Sequence, residues 1–95
     1  LDARGAEFAD RWLPEQFLCL CASIDAHRVD PARIAVPCWL AAFVGDQLVP
    51  PPQVRELASR LPNLRAVREV RSRYGHDAFL KERLAVAALL REVLA

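Results

Sequence analysis

Apolar positions along the chain change period several times, and each change marks an element. Leu1 to Trp12 mixes charges with Phe8 and Trp12 and reads as a short helix or an irregular segment. Pro14 then opens a helix, at a position where its missing N–H costs nothing. From Glu15 to about Ala26, Phe17, Leu18, Leu20, Cys21 and Ile24 recur at helical spacing. Pro31 disfavours helix at Asp30 and ends that stretch. Ile34 to Val44 is the strand candidate, with an unbroken apolar run from Cys38 to Val44. A run without polar alternation suits a strand covered on both faces of a parallel sheet. Pro50, Pro51 and Pro52 lead into a helix over Gln53 to Leu61, with Val54, Leu57, Ala58 and Leu61 on one face. Leu64 to Arg71 reads as a second, shorter strand, and its arginines place it near a sheet edge. Ser72 to Asp77 is a loop. Ala78 to Leu94 predicts one long helix with a wide apolar stripe.

The order is helix, strand, helix, strand, helix. A helix between two strands is the signature of a parallel α/β sheet. Two strands do not make such a sheet alone. The hydrophobic fraction of 54% in 95 residues is high for a small free-standing domain. The pattern therefore predicts that the chain self-associates or packs against further polypeptide. A first residue Leu1, in place of an initiator methionine, fits an internal start.

Thirteen basic and twelve acidic residues are interleaved, so no basic stripe points to nucleic acid. Cys19, Cys21 and Cys38 are odd in number and lack the spacing of a redox or zinc pair. With two distant histidines, they argue against a metal site and for buried, reduced thiols in a cytoplasmic protein. No apolar run reaches the ~18–20 residues of a membrane span, and the first residues lack a signal-peptide pattern.

The candidate chemistry lies in the two loops that follow the strands. Asp46 comes directly after the apolar run, in Gly45-Asp46-Gln47. His76 lies in Tyr74-Gly75-His76-Asp77, after the second strand. In open parallel sheets, ligands bind outside the carboxyl ends of the strands. An acid bonded to one imidazole nitrogen frees the other to take a proton from a nucleophile. The chain order, acid then histidine, is that of the second half of an α/β-hydrolase triad. No G-x-S-x-G elbow occurs, so the nucleophile is missing. Plainer readings exist for each residue. Asp46 suits a strand-end turn, His76 a solvated loop, and Asp77 the N-cap of the last helix. Arg71 and Arg73 are solvated cations or an anion site.

The string Gly75-His76-Asp77-Ala78-Phe79-Leu80 closely resembles the C-terminal signature of the homoserine O-acyltransferase family, on the α/β-hydrolase fold. Ser23-Ile24-Asp25-Ala26-His27 resembles the end of that family's helical lid, and Gly45 to Pro51 its acid loop. The resemblance covers nearly the whole chain. It implies a C-terminal segment of an α/β-hydrolase fold, with residues 1–30 as the end of the lid and 31–95 as core. Asp46 is then the triad acid, His76 the general base, and Asp77 the group that holds the substrate amine. The implied reaction moves an acetyl or succinyl group from acyl-CoA to L-homoserine through an acyl-serine, an entry step of methionine biosynthesis. The tail, with His27 to Pro31 and Phe79 to Glu82, looks nearer the succinyl-using branch. Acyl-CoA is a co-substrate and no permanent cofactor is implied. The implied partners are the N-terminal remainder of the same enzyme and a second copy in a homodimer. By itself such a segment is inactive.

Two other readings stay open. An esterase would keep Asp46 and His76 and use water as acceptor, with no need of an ammonium anchor at Asp77. A helical interaction module would use the Gly75–Leu80 string only as a helix start.

Overall fold

The computed structural model describes all residues from Leu1 to Ala95. Its centre is a pair of parallel strands, β1 (Cys38–Val44) and β2 (Leu64–Arg71). Between them runs α3 (Pro51–Arg60). Register runs from Cys38 opposite Leu64 to Val44 opposite Arg71, with one irregularity between Cys38 and Trp39. Both strands therefore end side by side, and both following loops emerge at the same edge.

The crossover forms for local reasons. Pro51 and Pro52 occupy the first helical positions of α3, where no N–H is needed. Val54 and Ala58 turn inward one helical turn apart and are buried, together with Leu61 at the end of the helix. Leu61 is extended, as the residue before Pro62 must be. Asn63 then straps the start of the sheet: its side-chain Nδ2 donates to the Ala35 carbonyl at 3.2 Å, and its own carbonyl accepts from Cys38 N–H at 3.0 Å. β1 is shorter than the predicted Ile34–Val44. Asp30 accepts the Ala32 N–H at 3.0 Å and Pro31–Arg33 forms a 3₁₀ turn. The chain from Ile34 to Pro37 only approaches the sheet.

The last helix is interrupted. A single turn, α4 (Ala78–Lys81), is separated by Glu82 from α5 (Arg83–Leu94). No Pro or Gly lies between Ala78 and Leu94, so the apolar spacing reads straight through the break. The break falls after a buried turn: Ala78 is completely buried, Phe79 lines an apolar crevice with residues of β1 and α5, and Glu82 leaves helical geometry at ψ 65°. Arg68 of β2 donates through Nε to Glu92 of α5 at 3.2 Å, an exposed tie across that side.

The N-terminal third stands apart in character. α1 (Asp2–Arg11) and α2 (Pro14–Ala26) have no buried residue. They meet through Phe8, whose ring stacks on Trp12 at 5.9 Å and meets Phe17 edge-on at 5.8 Å. Gln16 accepts the Leu13 N–H at 2.9 Å and fixes the start of α2.

Only 7 of 95 residues are buried, whereas Leu84 is 88% exposed and Ile24 72%. The radius of gyration is 17.2 Å, against about 12–13 Å for a self-contained domain of this length. The apolar excess seen in the sequence is thus on the surface. The cysteines depart from expectation: all three are free thiols, but Cys19 is exposed, and Cys21 and Cys38 are half-buried. Neither α2 nor the open side of a two-stranded sheet has a layer to bury them. No helix is long and apolar enough to cross a membrane.

Candidate active site

Two short loops make the site. The first leaves β1 at Gly45, where φ is +99°, a value L side chains rarely adopt. A Cβ there would stand 3.2 Å from the Ser72 carbonyl oxygen of the other loop. The second loop turns at Gly75, φ +57°, where a Cβ would lie 3.5 Å from the Gly45 carbonyl. The two glycines thus abut, and the loops approach at backbone distance.

That approach brings the two sequence candidates together. Nδ1 of His76 lies 3.0 Å from Oδ2 and 3.3 Å from Oδ1 of Asp46. Oδ1 of Asp46 also accepts the N–H groups of Leu48 at 2.9 Å and Val49 at 3.0 Å. Asp46 is buried, at 7% exposure, while the His76 side chain is about half exposed. The carboxylate is therefore fixed from below and the imidazole opens to the cleft. The Val49 N–H does most to hold the Asp46 carboxyl below its ordinary value of 3.8; desolvation opposes this, and His76 and the Leu48 N–H add to the lowering. An ionised Asp46 that accepts from Nδ1–H leaves Nε2 as the unprotonated, basic nitrogen.

The cleft in front of His76 has a volume of about 730 Å³. Gln47, Leu48, Tyr74 and Asp77 line it with the two glycines. Asp77 does not cap the last helix, as the sequence allowed. The 3₁₀ turn Gly75–Asp77 runs directly into α4, so Asp77 already has helical φ and ψ, −80° and 0°, and makes no side-chain cap bond. A cap needs extended backbone at that residue. Its carboxylate has no ion-pair partner and is exposed beside His76.

Ser72, the serine of the cleft, accepts the Tyr74 N–H through Oγ at 3.1 Å. No serine hydroxyl bonds His76. Arg73 lies over the Tyr74 ring at 5.1 Å and donates to its hydroxyl at 3.2 Å. No three His, Cys, Asp or Glu side chains converge to hold a metal ion.

Sequence reasoning missed three contributors: the N–H groups of Leu48 and Val49, and the ring of Phe79. Phe79 meets the His76 ring edge-on, with centroids 6.4 Å apart and planes at 71°. Its position three residues after His76 on helical backbone was the available signal.

Fold and site define an α/β segment, with parallel strands and a helical crossover, that presents a hydrogen-bonded acid–histidine pair at the carboxyl ends of its strands. No family model matches the chain. No solved structure matches it. Among curated proteins, a homoserine O-succinyltransferase of Xanthomonas campestris is 44% identical over 94 residues, covering 99% of this chain and 26% of that protein. A homoserine O-acetyltransferase of Geobacter sulfurreducens is 36% identical, covering 100% of this chain and 29% of that protein. One of Mycobacterium bovis is 31% identical, covering 99% and 27%. The chain spans between a quarter and a third of the length of these relatives. Its whole length matches them, which fits a fragment of the homoserine O-acyltransferase family.

Proposed function

We propose that this chain is the C-terminal part of an acyl-CoA:L-homoserine O-acyltransferase on the α/β-hydrolase fold, carrying the acid and base of the triad but not its nucleophile. The observation that carries this reading is the Asp46–His76 pair, bonded at 3.0 Å where two parallel strands end. In this reading residues 1–30 close a helical lid, and residues 31–95 complete a core begun by the rest of the polypeptide. The complete enzyme is a cytoplasmic homodimer.

Asp46 accepts a hydrogen bond from Nδ1–H and stabilises the imidazolium that forms. Nε2 of His76 takes the proton of a serine hydroxyl supplied by the remainder of the enzyme. That oxygen attacks the acyl carbonyl of acyl-CoA, and the CoA thiolate leaves with the proton from His76. His76 next takes the hydroxyl proton of homoserine, whose oxygen attacks the acyl-serine. The serine oxygen leaves, reprotonated by His76, and O-acylhomoserine is released. Asp77, an unpaired carboxylate beside the base, fits the ammonium group of homoserine. An acceptor with an amine accounts for that carboxylate; water as acceptor does not. The higher identity to a succinyltransferase favours a succinyl over an acetyl donor.

The test is acyl transfer by the complete enzyme, with each thioester, to homoserine. Faster transfer from succinyl-CoA is the expected result, and His76→Ala should lower it about 10³-fold or more. Hydrolysis at the same rate with and without homoserine would replace the transferase reading by the esterase one.

A further inference from the structure

We infer that Phe79 is a positioning residue for His76, one that fixes the plane of its imidazole. The inference rests on the acid–base reading of that histidine. Asp46 holds the ring through a single atom, Nδ1, shared between two carboxylate oxygens at 3.0 and 3.3 Å. Such a bond restrains where Nδ1 sits. With the ring also tethered through Cβ–Cγ, the freedom left is a coupled rocking about χ1 and χ2, which carries Nε2 through a short arc. A base must meet its proton at hydrogen-bond distance and in line, so that arc matters to the reaction.

The edge-on contact with Phe79, 6.4 Å between centroids and 71° between planes, opposes this rocking. The geometry is the one that aromatic quadrupoles prefer. Phe79 sits on the single helical turn that follows the His76 turn. It lines a wholly apolar crevice of about 220 Å³ between β1 and α5, with Leu40 and Phe43 on one side and Val86, Leu89 and Val93 on the other. Ala78, the residue before it, is completely buried, and its carbonyl accepts the Glu82 N–H at 2.8 Å, closing the single turn of α4. The break after α4 gives this turn an orientation of its own, separate from α5. Phe79 remains 52% exposed in this segment.

The experiment uses the complete enzyme. In the wild type, nuclear Overhauser contacts should connect the Phe79 ring to the imidazole protons of His76, and the ring current should displace those protons. Phe79→Leu, which keeps an apolar side chain on the crevice wall, should abolish the displacement. It should also lower kcat per titrated active site about ten-fold or more in both half-reactions, with the homoserine KM unchanged. Phe79→Tyr should restore both, since its hydroxyl can reach solvent. Phe79→Met serves the same comparison if the leucine variant does not fold. Absence of the ring contact in the wild type would overturn the inference. So would unaltered imidazole protons in the leucine or methionine variant, or a loss of rate due only to fewer active sites. Failure of the wild type to acylate homoserine would overturn the proposed function instead, and the imidazole resonances would still decide the role of Phe79.

Discussion

Nδ1 of His76 stands 3.0 Å from Oδ2 of Asp46, although thirty residues separate the two in the chain. Parallel pairing of β1 and β2 produces that meeting, because Val44 and Arg71 are opposite each other at the ends of the strands. The acid needs only two more residues, and the histidine five, to reach a common point beyond the sheet.

The acid of that pair makes stability depend on pH in a defined direction. The Asp46 carboxyl is lowered from 3.8 in the folded chain, first by the Val49 N–H. A lowered folded value means that the unfolded chain binds the proton more readily. The stabilisation is therefore complete above about 3.8 and is lost as pH falls below it through the folded value. Asp46→Asn in the complete enzyme should flatten the acid limb of a melting-temperature profile below about pH 4, while leaving the shape above pH 5 unchanged. An acid limb as steep as that of the wild type would show that Asp46 is not the group involved.

On the proposed function, a change at Asp77 should separate homoserine binding from acyl-enzyme formation. Asp77→Asn should raise the homoserine KM by about ten-fold or more, as expected for loss of a charge-assisted bond to an ammonium. The burst of CoA release that reports acyl-serine formation should be nearly unaltered. Equal effects on the two steps would remove Asp77 from the acceptor site.

The two loop glycines should respond differently to substitution. Gly75, at φ +57°, lies in the left-handed region that Asn tolerates, with only ordinary van der Waals contact at the Cβ position. Gly75→Asn should cost less stability than Gly75→Ala, whose backbone penalty is about 1–2 kcal/mol. Gly45 at φ +99° faces a backbone carbonyl at 3.2 Å, so Gly45→Ala and Gly45→Asn should both be worse than either change at Gly75. Denaturant midpoints of the four variants check the order, and equal midpoints would mean that the loops shift apart without cost.

The surface of the 95-residue chain is too apolar to remain solitary in water. Leu84 and Leu94 on α5 and Ile24 on α2 are each more than 70% exposed. Produced as an isolated polypeptide, the chain should bind an apolar dye and sediment as self-associated species. Addition of the rest of the enzyme as a separate polypeptide should reverse both. A monomer that unfolds cooperatively and binds no dye would favour the interaction-module reading instead.

Much of this architecture was legible from local pattern. The continuous run Cys38–Val44, the limits of β2 at Leu64 and Arg71, and the proline-led start of α3 all follow from residues close in sequence. So do the positions of Asp46 and His76 beyond strand ends, because the turn chemistry of Gly45 and Gly75 is local. The apolar fraction announced an exposed hydrophobic surface before any coordinates did.

The remainder depended on contacts between distant segments. Periodicity could not register the break at Glu82, since nothing in Ala78–Leu94 lacks helical propensity; the break follows the turn that buries Ala78. The plainer reading of Asp77, as the N-cap of the last helix, did not hold because a preceding 3₁₀ turn had already made its backbone helical. Nor could spacing show that Leu48 and Val49 turn their N–H groups onto Asp46, or that Phe79 meets His76 edge-on. Sequence determined which loop residues offer a carboxylate, an imidazole and a turn glycine, because those properties belong to each side chain and its neighbours. The tertiary structure decided distance, orientation and burial, because these arise only when two strands distant in the chain are brought into register.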